Sequence, residues 1–164
     1  MIVSDTTPLI SLLKINRLSL INQLFGTVKI PGAVYDELVS NPRYQNEATI
    51  IKNTEFIEVV NVKDPNEVLS FRKSTGLDAG ESEAIILYNQ IQSNLLLIDE
   101  AKGREIAKNR GISIMGTIGI LLASFEDKLL SKEEVSECVS MLRDNNRHIS
   151  EKLYKQLIIK IENS

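Results

Sequence analysis

Hydrophobic positions along this chain fall into two kinds of pattern. The first is the short apolar run without alternation, as in "MIV" at the start and "NLLLI" over 94–98. Strands buried on both faces read this way, because successive side chains point to opposite sides and both sides are covered. "TVKIP", the β-branched "FIEVV" and "ISIMG" are further strand candidates. The second pattern is helical. "DAGESEAIILYNQIQ" sets Ala84, Leu87, Tyr88 and Ile91 on one stripe. "TTPLISLL" predicts a helix capped by a threonine with Pro8 in its first turn, and "RLSLINQLFG" one closed by Gly26. "PGAVYDELVS" is entered through Pro31, "DPNEVLSFRKST" follows Pro65, and "EAKGREIAKNRG" is amphipathic and stops at Gly111. "TIGILLASFEDK" is an apolar helix, "NEATIIKN" only weakly helical, and "SKEEVSECVSMLRDN" and "SEKLYKQLIIKIENS" end the chain as polar helices.

Strands alternating with helices predict an α/β fold with a parallel sheet covered on both faces. A chain of 164 residues suits one compact domain. The alternation fills residues 1–127. Residues 128–164 contain no strand and are expected to form a helical extension packed on or beside the sheet domain, or a partner-binding surface.

Composition narrows the function. Hydrophobic content of 43% and charged content of 25% are ordinary for a globular protein. The formal charge of −3 supplies no global basic field for nucleic acid, although a local basic face can still bind it. The lone cysteine, Cys138, has no intramolecular partner, which fits a reducing compartment. No signal-type leader and no apolar run near the roughly 20 residues of a membrane span is present, so a cytoplasmic protein without membrane contact is expected.

In open parallel sheets, sites form beyond the carboxyl ends of the strands. Asp5 and Asp99 follow the two most apolar strand candidates, so neighbouring strands would hang both carboxylates over one crevice. Helix capping is the ordinary use of such an aspartate, but Thr6 and Thr7 stand closer to the helix start than Asp5 does. Glu81 and Glu83 lie in the first turn of the helix before the Asp99 strand. Two residues apart, they point about 200° from each other, so only one can face a given pocket, and periodicity does not choose. Glu37 borders the apolar side of its helix, whereas Asp36 points further from it.

Other chemistries are poorly served. There is no phosphate-binding GxxxxGK[ST] loop and no GxSxG elbow, and "GTIGIL" is too loose for a dinucleotide fingerprint. One histidine (His148, in a polar stretch and expected to face solvent) and one cysteine cannot build a usual zinc site. Thr7 stands where a DxDxT phosphatase motif needs its second aspartate, and "SIMGT" offers no phospho-receiver lysine. Ser4 and Thr117 are hydroxyls near strand ends, more commonly turn or cap residues than nucleophiles. Oxygen chemistry remains. Clustered carboxylates need positive neutralisation, and Mg²⁺ or Mn²⁺ suits carboxylate and water ligands. Such an ion activates a water and steadies charge on a phosphodiester oxygen.

"IVSDTTPLISL", "IPGAVYDEL", "GLDAGESEAIILY", "NLLLIDEAKGREIAKNRG" and "MGTIGILL", in that order, resemble the PIN-like branch called DUF3368, which is frequent in prokaryotic toxin–antitoxin settings. The resemblance spans residues 2 to about 123. It implies a Rossmann-like three-layer α/β/α fold with strand order 3-2-1-4-5 and Mg²⁺- or Mn²⁺-dependent ribonuclease activity. RNA is the implied substrate, with a small antitoxin protein and a second copy of the chain as implied partners. By position, Asp5 resembles the first acid of the catalytic, metal-holding quartet, Glu37 the second and Asp99 the fourth. Matching strand ends favours Glu81 as the third, with Glu83 its alternate and Glu100 the alternate to Asp99. Thr6, Thr7 and Thr117 are supporting hydroxyls. Lys102, Arg104, Lys108 and Arg110, on the helix after Asp99, are candidates for RNA phosphates, or simply a solvated helix face. The chain departs from the usual pattern in Thr7 for asparagine, Ile98 for threonine and a glutamate as third acid. These departures leave a second reading, a catalytically weak or inactive PIN-like module that binds nucleic acid or protein.

Overall fold

The computed structural model describes residues 1–147 and 149–164; His148 lies outside the described residues. Five parallel strands form one sheet in the order β3-β2-β1-β4-β5. They are β1 (Ile2–Ser4), β2 (Val28–Ile30), β3 (Ile57–Val59), β4 (Leu95–Leu97) and β5 (Ile114–Met115). This is the order the family resemblance implies, and the three-layer α/β arrangement is as expected. Every crossover carries a helix: α1 (Thr6–Lys14), α2 (Ser19–Phe25), α3 (Gly32–Ser40), α4 (Gln45–Asn53), α5 (Pro65–Thr75), α6 (Ala79–Gln90) and α7 (Ala101–Asn109). After β5 come α8 (Thr117–Glu126), α9 (Lys132–Asp144) and α10 (Glu151–Glu162).

The unalternating strands are explained by two apolar clusters, one on each face of the sheet. Ile2, Val28, Ile30 and Leu97 join the first, with Leu9, Ile21 and Leu121. Val3, Leu96 and Ile98 join the second, with Phe71, Ile85 and Ala107. Adjacent residues of β1 and β4 thus enter opposite cores, as the pleat requires. The edge strand β3 is largely exposed.

The described residues of 128–164 share the core of the sheet. Val135, Cys138, Val139 and Leu142 of α9 and Leu157 and Ile161 of α10 belong to the first cluster, which runs without a break from the sheet. Ser131 and Glu134 form a reciprocal capping box at the start of α9, and Ser150 caps α10. The segment "NEATIIKN", weak as a helix in sequence, is firmly helical as α4 because Ala48 and Ile51 are buried. Among the described residues no helix is long and apolar enough to cross a membrane.

Two buried side-chain atoms, the Ser82 hydroxyl and Arg147 Nε, have no hydrogen-bond partner among the described residues. Ser82, in α6, is fully buried. Removing an unsatisfied buried hydroxyl recovers its desolvation cost. Ser82→Ala is therefore expected to stabilise the protein by about 1 kcal/mol, read as a rise of about 2–4 °C in Tm.

Candidate active site

The parallel pairing of β1 with β4, in register Ser4 to Leu97, brings the ends of both strands to one edge. The Asp5 amide continues the ladder by donating to the Leu97 carbonyl at 2.9 Å. Asp5 occupies the N-cap position of α1, which begins at Thr6 rather than after a threonine cap, yet its side chain makes no capping hydrogen bond. The carboxyl is instead buried, with the residue 3% exposed. Burial drives its pKa from 3.8 up to about 7; the Thr6 amide opposes this, and the charges of Asp78, Glu37 and Asp99 add to it.

Glu37 comes from α3. The Thr6 hydroxyl donates to its Oε2 at 2.9 Å and holds it toward Asp5. Gly80, in the first turn of α6, packs between the two acids. A Cβ there would stand 3.5 Å from both Asp5 Oδ1 and Glu37 Oε2.

The choice between Glu81 and Glu83 is made by packing. Glu83 Oε1 accepts the Ala33 amide at 3.1 Å, satisfying a free N–H at the start of α3. Glu81, on the other side of α6, is half-buried toward the crevice, and its Oε2 would lie 3.4 Å from a Cβ on Gly103. Its pKa is raised to about 8, first by burial and then by the charges of Asp78 and Asp5, with Glu100 adding less.

Asp99 sits just past β4 and is gripped at both oxygens by Thr117. The Thr117 amide donates to Oδ1 and its hydroxyl to Oδ2, each at 2.7 Å. These donors belong to the first residue of α8, where the helix dipole also favours negative charge. Glu100 takes the N-cap position of α7 without a side-chain cap and is exposed. Thr7 is half-buried and faces a cavity that adjoins Asp99.

Asp78 was not picked out from sequence. It caps α6 by accepting the Glu81 amide at 2.8 Å, and its charge raises both Asp5 and Glu81. The signal was present: an aspartate immediately before "AGE" is an ordinary N-cap, and a cap at this helix end necessarily stands over the crevice.

The four basic candidates are spread along α7. Lys102 and Arg104 lie in the first turns of α7, at the crevice end. Arg104 Nη1 donates to the Ile98 carbonyl at 2.9 Å. Lys108 and Arg110 lie at the other end of that helix, about 10 Å away at 1.5 Å per residue. Arg110 is stacked over the Phe71 ring, 4.6 Å from its centroid.

Among the described residues, no three of His, Cys, Asp and Glu yet stand in an arrangement that could hold a metal ion. The carboxylates converge without forming a finished ligand set. Their chemistry nevertheless suits a hard cation, because every donor is oxygen and Asp5 and Glu81 are driven toward their neutral forms first by burial and then by neighbouring carboxylates, Asp78 foremost among them for both.

This is an acid-pocket α/β domain, with carboxylates from two strand ends and two helices around one crevice. The chain belongs to the PIN domain family DUF3368, the match running over residues 1–163. PIN domains are generally nucleases and typically use divalent metal ions. The family match thus extends through α9 and α10. No curated protein matches the chain.

Because folding raises the Asp5 and Glu81 pKa values, the folded chain holds protons that the unfolded chain has released. The stability tied to these groups is full below about pH 4 and is lost as pH rises through about 7 to 8. Thermal melts without divalent ions should show Tm falling from pH 5 to pH 8. Asp5→Asn should raise Tm at pH 8 by about 5–10 °C and change it far less at pH 4.

Gly116 is needed for close approach. A Cβ there would meet Asp99 Oδ1 at 2.7 Å and Arg104 Nη1 at 3.0 Å. Thr117 prevents Asp99 from retreating, so Gly116→Ala should cost about 1–3 kcal/mol, measured by urea denaturation.

Proposed function

We propose that this protein is an endoribonuclease that hydrolyses RNA phosphodiester bonds with Mg²⁺ or Mn²⁺ held by Asp5, Glu37, Glu81 and Asp99. The observation that carries the reading is the convergence of these acids from β1, α3, α6 and the end of β4, with Asp5 buried and its charge uncompensated by any cation within the described residues. When bound, the ion supplies an activated water and positive charge opposite the phosphodiester oxygens.

The chain's own residues set the geometry. Asp5 is fixed by the β1–β4 ladder, Asp99 by Thr117, and Glu37 by Thr6. Glu81 is held beside Asp78, whose side chain shares a hydrogen bond with it. Lys102 and Arg104, at the crevice end of α7, would meet RNA phosphates. A cytoplasmic toxin paired with a small antitoxin, and a homodimeric state, complete the proposal.

The second reading, a module that binds without cleaving, is favoured by one observation: both Asp99 oxygens are already engaged by Thr117. Cleavage of a folded RNA separates the two. The nuclease reading expects Mg²⁺-dependent cleavage that falls at least about 100-fold in Asp5→Asn, Glu81→Gln and Asp99→Asn. Glu83→Gln should stay within a few-fold of wild type while lowering Tm. Metal-independent cleavage, or equal losses at Glu81 and Glu83, would sink it; RNA binding with no cleavage under any divalent ion supports the module.

A further inference from the structure

Beside the carboxylates lies a second feature, a cavity of about 670 Å³ between α8, α10 and the end of α9. Its size falls within the roughly 300–1,000 Å³ of small-ligand sites. Asp99, Glu100 and Thr117 form its near end, so it opens directly off the acidic crevice. Its walls are aliphatic, from Ile118 and Leu122 on α8 and Leu153 on α10.

Three cations, Arg104, Arg147 and Lys160, stand in this lining against two carboxylates, Asp99 and Glu100, and Arg147 also acts on the Glu47 charge. The Nε of Arg147 is buried and has no hydrogen-bond partner among the described residues. A buried guanidinium nitrogen without a partner is costly, and an anionic acceptor relieves that cost. The required occupant joins an apolar-faced body to an anion and reaches the acidic crevice. A nucleotide has both parts, a base with apolar faces and a phosphate. An uncharged aliphatic peptide would leave the buried Arg147 Nε without an acceptor.

We propose that this cavity receives one nucleotide of a single-stranded RNA substrate, its base among Ile118, Leu122 and Leu153 and its phosphate toward Arg104 and Arg147. The choice of RNA rests on the nuclease reading. The pocket gives that reading a base-selective subsite next to the reacting phosphate, since one buried base contributes to binding while the backbone contacts do not discriminate.

The test is fluorescence anisotropy on the full chain with labelled single-stranded six-nucleotide RNAs, intact or carrying one abasic position at each place in turn, without divalent ions. Wild type is expected to bind one abasic RNA about tenfold more weakly than the intact RNA. Leu153→Trp, at a residue 46% exposed and so tolerant of change, fills the mouth and should abolish that difference. Arg147→Gln should weaken every RNA that offers a phosphate there. If all abasic RNAs bind wild type as tightly as the intact one, or Leu153→Trp keeps the discrimination, the proposal is overturned. A peptide or other protein as the real occupant would give that same indifference. Base-dependent binding without Mg²⁺-dependent cleavage keeps the pocket and removes the nuclease, whereas cleavage with no base dependence does the reverse.

Discussion

The amide of Asp5 donates to the carbonyl of Leu97, one step past the last residues of two parallel strands. That bond carries the ladder to the end of the sheet and fixes where the two chains diverge. Asp5 is thereby committed to the mouth of the sheet, and Asp99, two residues after Leu97, to the same mouth. The other acids are placed relative to this pair, because α6 packs on β1 and β4 and α3 packs on α6. A parallel sheet whose order reverses direction around β1 has its crevice there by construction.

Burying Asp5 opposes folding, since a carboxylate removed from water is unfavourable unless something positive or hydrogen-bonding replaces the solvent. Asp99 receives such replacement in full from Thr117 and the start of α8. Asp5 does not, and its neighbours Asp78, Glu37 and Asp99 make the deficit larger. The two strand-end aspartates therefore have different electrostatic situations despite equivalent positions. One is satisfied by the protein. The other remains unsatisfied, and within this fold a cation is the group that would correct it.

Small residues line the same region for a steric reason. Gly80 packs against Asp5 and Glu37, Gly103 against Ile98 and Glu81, and Gly116 against Asp99 and Arg104. None of these three glycines requires a left-handed backbone; an added Cβ would collide with the Asp99 carboxylate at Gly116 and with the Ile98 side chain at Gly103, and would make ordinary contact with Asp5 and Glu37 at Gly80. The carboxylate cluster and the close packing of α6, α7 and α8 on the strand ends are thus two views of one constraint.

Much of this was determined by the sequence alone. Apolar runs in "MIV" and "NLLLI" require cover on both faces, and strand–helix alternation requires a parallel sheet; local pattern is sufficient for both. That Asp5 and Asp99 end strands was equally legible, since a carboxylate cannot continue a doubly buried run. Only the tertiary structure separated Glu81 from Glu83, because the decision lies with the Ala33 amide, a group some fifty residues away whose need for an acceptor no periodicity reports. The same holds for Asp78, an ordinary cap by sequence that becomes part of the electrostatics only when α6 is set against β1. It holds too for the basic residues of α7, four on one helix by sequence, which the direction of that helix divides between the crevice and the far end. Local sequence determines what each segment becomes; which charges share a space is decided by contacts between segments, and those are made only when the chain is folded.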